Sequence, residues 1–252
     1  MPTPFELLGL TRRGALPAFA VFVLLAEARA QEGPRVRADH WIEAQEEIAR
    51  ALAGGQISPL VWMDEVERLT REVDLAELMA TVGRARLTNA GRGASNDPFK
   101  RNVRFLDAAG QPRRLGYAAA LFAFEPHNVI TPHGHRHMVS AHIVVEGAFR
   151  VRNFDRVGDA DGAMIIRPTR DYVAELGHVS TMSTARDNIH WFVPQGGPAM
   201  TFDVIISGLD PGQPNYEIRA VDPVGGARRA NGDIVAPLIG FEEASRRYTA
   251  NV

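Results

Sequence analysis

Hydrophobic and polar positions alternate in three different ways along the chain, and each regime predicts a different kind of structure. From Asp39 to about Gly91 the period is helical: Ile42, Ile48, Ala51 and Leu52 fall on one side of a first helix that Gly54 and Gly55 stop. Ser58 and Pro59 open a second helix by cap and first-turn proline, with Val61, Val66 and Leu69 along it, and a third, shorter helix covers 75–82. Gly91, Gly93, Asn96 and Pro98 form a loop that closes this prefix. Beyond Lys100 the period becomes that of strands, at 103–106, 115–124, 139–145, 149–155, 163–167, 190–193 and 201–207. The runs Asp107 to Gly110 and Asp159 to Gly162, with Gly147, supply the turns. Many short strands without intervening helices predict a mainly β chain, an antiparallel barrel or sandwich under an N-terminal helical cover. After Pro211 the pattern fades into a Gly/Pro-rich tail with a last short helix at 241–248.

The third regime lies at the start. Arg12 and Arg13 precede an uncharged apolar run from Gly14 to Ala26, and Ala28-Arg29-Ala30 has the small-x-small form of a cleavage site. The run is shorter than the roughly twenty residues that span a bilayer. Residues 1–30 are therefore expected to be a signal peptide, and the segment Thr11 to Leu16 resembles the twin-arginine export signal. The expected organisation is signal 1–30, helical prefix 31–98 and β-barrel with C-terminal tail 99–252. A periplasmic or secreted location follows, with membrane contact only during export.

Composition narrows the chemistry. With 45% hydrophobic residues in 252, the chain can bury a sizeable core, and a formal charge of −2 gives no footprint for nucleic acid. Lys100 is the single lysine. With no cysteine there is no disulfide framework, thiolate ligand or cysteine nucleophile, so any metal must be held by His and carboxylate.

The candidate chemistry sits in Thr131 to Gly147, TPHGHRHMVSAHIVVEG. Side chains alternate across a strand, so His133, His135 and His137 share a face if the segment is extended. Converging neutral imidazoles suit Zn, Cu, Fe and Ni. His127, His142 and His178 are expected in supporting or surface roles, and His40 at the surface.

These residues resemble the cupin barrels. His133-Gly134-His135, Gly147 at a turn, and a further histidine on a later strand are similar to the two cupin metal motifs. Ordinary cupins carry a glutamate four or five positions after the second histidine, where this chain has Val139 and Ser140. Cupins lacking it include the thiol dioxygenases. Likeness to the cysteamine dioxygenase and plant cysteine oxidase branch extends over roughly 117–207, through Asn188-Ile189-His190, Gly-Pro-Ala and Thr201-Phe202-Asp203-Val204-Ile205. The chain departs from that branch in reading Arg136-His137-Met138 where a Pro-Gly pair is usual. The resemblance implies a jelly-roll barrel with Fe(II), or another divalent transition metal, on His133, His135 and His190. It also implies an oxidoreductase that adds O2 to a small substrate, a thiol or a carboxylate. The alternatives are a non-catalytic periplasmic cupin that binds a metal or small ligand, and a cupin isomerase or lyase.

Two further side chains are candidates for catalysis. Tyr117 would donate a phenolic hydrogen bond to bound oxygen, and Arg104 on a strand would clamp a substrate carboxylate in bidentate fashion. Arg150, Arg152 and Tyr172 are weaker candidates of the same kinds. Trp191, next to His190, points by alternation away from the metal.

Overall fold

The computed structural model describes residues 35–210, 212 and 217–249. The expected signal peptide lies outside the described residues. Among those residues no helix is long and apolar enough to cross a membrane.

Three helices come first: α1 (Ala38–Ala53), α2 (Pro59–Glu72) and α3 (Leu75–Arg84). Ser58 caps α2 by accepting from the Val61 N–H, and Asp74 caps α3 by accepting from that of Glu77. The strands follow in chain order as β1 (Arg86–Gly91), β2 (Phe99–Arg104), β3 (Ala118–Phe124), β4 (Ile130–Arg136), β5 (Met138–Glu146), β6 (Phe149–Ala160) and β7 (Ala163–Ala174). Next come β8 (Val179–Met182), β9 (Ile189–Pro194), β10 (Ala199–Ser207), β11 (Glu217–Val221), β12 (Ala227–Arg228) and β13 (Ile234–Ile239), and then helix α4 (Phe241–Arg247). They form two antiparallel sheets, one ordered β1-β2-β3-β10-β5-β8 and the other β11-β4-β9-β6-β7-β13-β12, with β11 also paired to β13. The fold is mainly β, antiparallel, with helices at its N-terminal side.

The first sheet is two-faced by alternation. Phe202 on β10 meets Trp41 of α1 with ring centroids 6.0 Å apart, while its neighbour Asp203 lines the cavity between the sheets. Polar ties fix the helices there: the Gly116 N–H donates to Glu46, Thr181 Oγ1 donates to Glu67, and Arg186 pairs with Asp64. Strand β5 is buried at every position because helices cover one face and the second sheet the other. A core of Phe124, Ile130, Val144, Phe149, Val151 and Phe192 fills one end of the space between the sheets and leaves the other end open.

Gly147 makes the predicted turn from β5 into β6 with φ +67, and a Cβ there would lie 2.8 Å from the Pro198 carbonyl oxygen. Gly110 and Gly162 also take positive φ in their predicted turns. Several segments differ from expectation, among them β8, a strand that the sequence pattern did not announce. Strand β1 lies inside the stretch expected to be helical and pairs with β2 as an exposed ribbon, where cross-strand bonds override a weak period. The expected tail is sheet: β11 pairs with β4, with Ala220 opposite His133. The last helix is present as α4, held by buried Tyr248, whose hydroxyl donates to Asp222 at 2.5 Å.

Candidate metal centre

Strands β4 and β9 are adjacent and antiparallel, and their register places His133 directly opposite His190. His135, two residues along β4, comes round to the same face. The three rings lie 4.5 to 5.0 Å apart between centroids, and one ligand nitrogen from each lies within 4.8 Å of the others. His135 and His190 are buried, and His133 borders the cavity.

Local sequence explains the convergence. Gly134 lets β9 close on β4, because a Cβ there would meet Asn188 Oδ1 at 2.9 Å. In return the Asn188 amide donates to the His135 carbonyl at 2.6 Å and to that of Ser183 at 3.1 Å, so the Asn-Ile-His motif fastens both ligand strands together. His133 Nδ1 sits 2.7 Å from the Thr131 carbonyl, which can only accept; Nδ1 therefore carries the hydrogen and Nε2 keeps its lone pair. His135 Nε2 is buried without a hydrogen-bond partner. An orphaned buried nitrogen inside a ring of imidazoles is what a cation would satisfy, so the residues present fit a metal.

Electrostatics agree. Burial lowers the His133 pKa to about 4 against the partial counterweight of the Thr131 carbonyl, and burial, then the neighbouring imidazoles, holds His135 and His190 well below the ordinary value. All three are neutral at physiological pH, the state that binds metal.

The remaining sequence candidates are placed elsewhere. His137 has φ +59, at the point where the chain passes from β4 to β5. This left-handed residue breaks the alternation, and the ring lies 3.4 Å from Asp210 instead of among the other three. Tyr117 is buried beneath the helical cover, 3.5 Å from the Ile42 carbonyl, with its pKa raised by burial. Arg104 is exposed at the end of β2, opposite Arg86. Neither lines the cavity, because the first belongs to the helix-facing side and the second to the rim of the β1-β2 ribbon. Arg150 pairs with Asp171 at the surface. Trp191 faces outward as expected, against Tyr248 and beneath Arg152. His40, His127 and His178 are exposed.

The cavity of about 710 Å³ also brings in residues that sequence reading did not join into one group, His142 among them as one expected in a supporting or surface role. Ser140, His142 and Asp203 line it together, as do Lys100, Phe122 and, from α4, Phe241. His142 Nδ1 is 2.7 Å from Asp203 and its Nε2 is 3.0 Å from the Ser140 hydroxyl. Two signals for this group were present: Ser140 and His142 share parity on one strand, and Asp203 is the one charge inside an apolar run.

No family model matches the sequence, and no curated protein matches it. Solved structures do resemble it. One is an uncharacterised conserved protein with a double-stranded β-helix domain from Klebsiella pneumoniae, at 15% identity over 50% of this chain and 82% of that one, TM-score 0.32. An oxalate oxidase shares 18% identity over 49% of this chain and 56% of its own length, TM-score 0.34. A sugar phosphate isomerase of the cupin superfamily from Silicibacter pomeroyi shares 18% identity over 53% and 73%, TM-score 0.33. All three are distant likenesses of fold. The double-sheet architecture brings three imidazoles inward together, a donor set that fits a divalent metal ion.

Proposed function

We propose that the protein is an exported Fe(II)-dependent cupin oxygenase that adds both atoms of dioxygen to a small thiol or related anion. The observation that carries this reading is the donor set: three neutral imidazoles and no carboxylate, with Ser140 standing where the cupin pattern has glutamate. Bound there, a divalent ion would supply Lewis acidity and open positions for an anion and oxygen. The chain's own residues do the rest. The Thr131 carbonyl holds His133 in one tautomer and Asn188 fixes the backbone of His135. Phe122, Ile130, Met138, Ile205 and Phe241 give the cavity apolar walls. Lys100, lying over the Phe122 ring at 5.5 Å, draws in an anionic substrate. For a thiolate the balanced change is RS⁻ + O2 → RSO2⁻.

Oxygen uptake by metal-free protein reconstituted with Fe(II) tests this, measured against a panel of thiols and small carboxylates with His135→Ala as control. Uptake above the control supports the oxygenase. A cavity of about 710 Å³ exceeds what the smallest thiols need, and this favours a bulkier ligand. That size is also the observation behind the second reading, a cupin that binds a small ligand without turning it over. No uptake, together with tight metal-dependent ligand binding, would establish it instead.

A further inference from the structure

The buried row Asp203, His142, Ser140 faces the three-histidine centre from the opposite sheet. The register of β5 and β10 sets Asp203 directly across from His142. Asp203 Oδ2 lies 2.7 Å from His142 Nδ1, and His142 Nε2 lies 3.0 Å from Ser140 Oγ. All three side chains are buried, and the His142 ring packs edge-on against His190 at 4.8 Å between centroids. Such a row has a direction. A carboxylate only accepts, so His142 Nδ1 carries the hydrogen and donates it. In the neutral imidazole Nε2 is then a bare acceptor, and the Ser140 hydroxyl directs its single hydrogen to it. What remains of Ser140 toward the cavity is oxygen lone pairs.

We propose that Ser140 is a directed hydrogen-bond acceptor that selects, beside the metal, ligands carrying an O–H, N–H or S–H donor next to the atom that binds the ion. His142 and Asp203 are its positioning residues. This deepens the reading above and rests on it. Where other cupins place a carboxylate on the metal, this chain holds a hydroxyl that points its oxygen at what the metal holds. Ligands that offer only an acceptor at that place leave two lone pairs facing each other and pay desolvation without a bond.

The relation is tested with protein loaded with Co(II), which reports its ligands by visible absorption, titrated with glycolate and with methoxyacetate. Both present a carboxylate, but only glycolate carries a donor. Wild type is expected to bind glycolate about tenfold more tightly. Ser140→Ala should bring the two affinities to within about twofold. Asp203→Asn offers His142 an amide donor and so reverses the row: Nε2 becomes the donor, the Ser140 hydrogen swings into the cavity, and preference shifts toward methoxyacetate. A merely structural role for Asp203 would weaken both ligands alike. An unchanged preference in Ser140→Ala, or binding of neither acid to Co(II)-loaded wild type, overturns the proposal. Ser140→Ala removes one atom and carries the test even if Asp203→Asn does not fold. Metal content of the same samples separates the two failures: wild type that takes up no Co(II) refutes the metal centre itself.

Discussion

His133 and His190 are register partners across the β4-β9 ladder, so the two imidazoles are set facing one another by backbone hydrogen bonds before any ion arrives. Preorganisation of this kind makes ligand removal a clean test. A His133→Ala, His190→Ala double variant should lose the single bound ion, measured by elemental analysis, while keeping its far-ultraviolet circular dichroism. Addition of metal should then raise the melting temperature of wild type and leave the double variant unmoved, because only a site present in the folded state couples binding to stability.

The buried imidazoles also set a pH dependence. The folded chain holds the His133 pKa at about 4 against an ordinary 6.5, by burial. The unfolded chain therefore binds more protons between those values, and stability falls as pH drops through that window. Metal-free protein should be less stable at pH 5 than at pH 7, by on the order of 1–2 kcal/mol from His133 after allowing for cavity water. Urea titrations at the two pH values measure it.

Gly147 and Gly232 separate two costs of adding a methyl group. Both have positive φ, but a Cβ on Gly147 would meet Pro198 and Ala199 at 2.8 and 2.9 Å, whereas one on Gly232 meets nothing within 4 Å. Gly232→Ala should cost about 1 kcal/mol from backbone strain alone. Gly147→Ala should cost a further 1–3 kcal/mol or so for overpacking the turn that feeds β6. Denaturant unfolding of the two variants distinguishes them.

Lys100 makes no ion pair among the described residues and lies at the cavity wall. Lys100→Ala should weaken binding of small carboxylates by roughly three- to tenfold, and should flatten the salt dependence of that binding. Lys100→Arg should restore most of both. Titration of metal-loaded protein at two ionic strengths is the measurement.

How far the sequence foretold this molecule depended on the range of the forces at work. The helices at α1, α2 and α3 were legible because their caps and apolar stripes are local. The histidine trio was legible because alternation on β4 and a separate Asn-Ile-His motif name its members. His137 was not, since one left-handed residue cancels the parity on which its candidacy stood. Tyr117 and Arg104 sit on or next to strands whose outer faces meet helices or solvent, and only the packing of the two sheets reveals which face is which. The Asp203, His142, Ser140 row joins residues about sixty positions apart through strand register, which no local pattern encodes.

Strand β11 has a meaning beyond completing a sheet. Without it, β4 would be an edge, offering a row of bare N–H and C=O groups on the very strand that carries two of the three histidines. Such an edge invites a strand from another molecule, and a foreign strand would drag the imidazoles out of register with His190. The segment around Ala220 is thus a built-in guard against aggregation at the metal strand. It also ties the outer flank of that strand to sequence more than eighty residues further on, so that a change far down the chain can disturb the histidine strand.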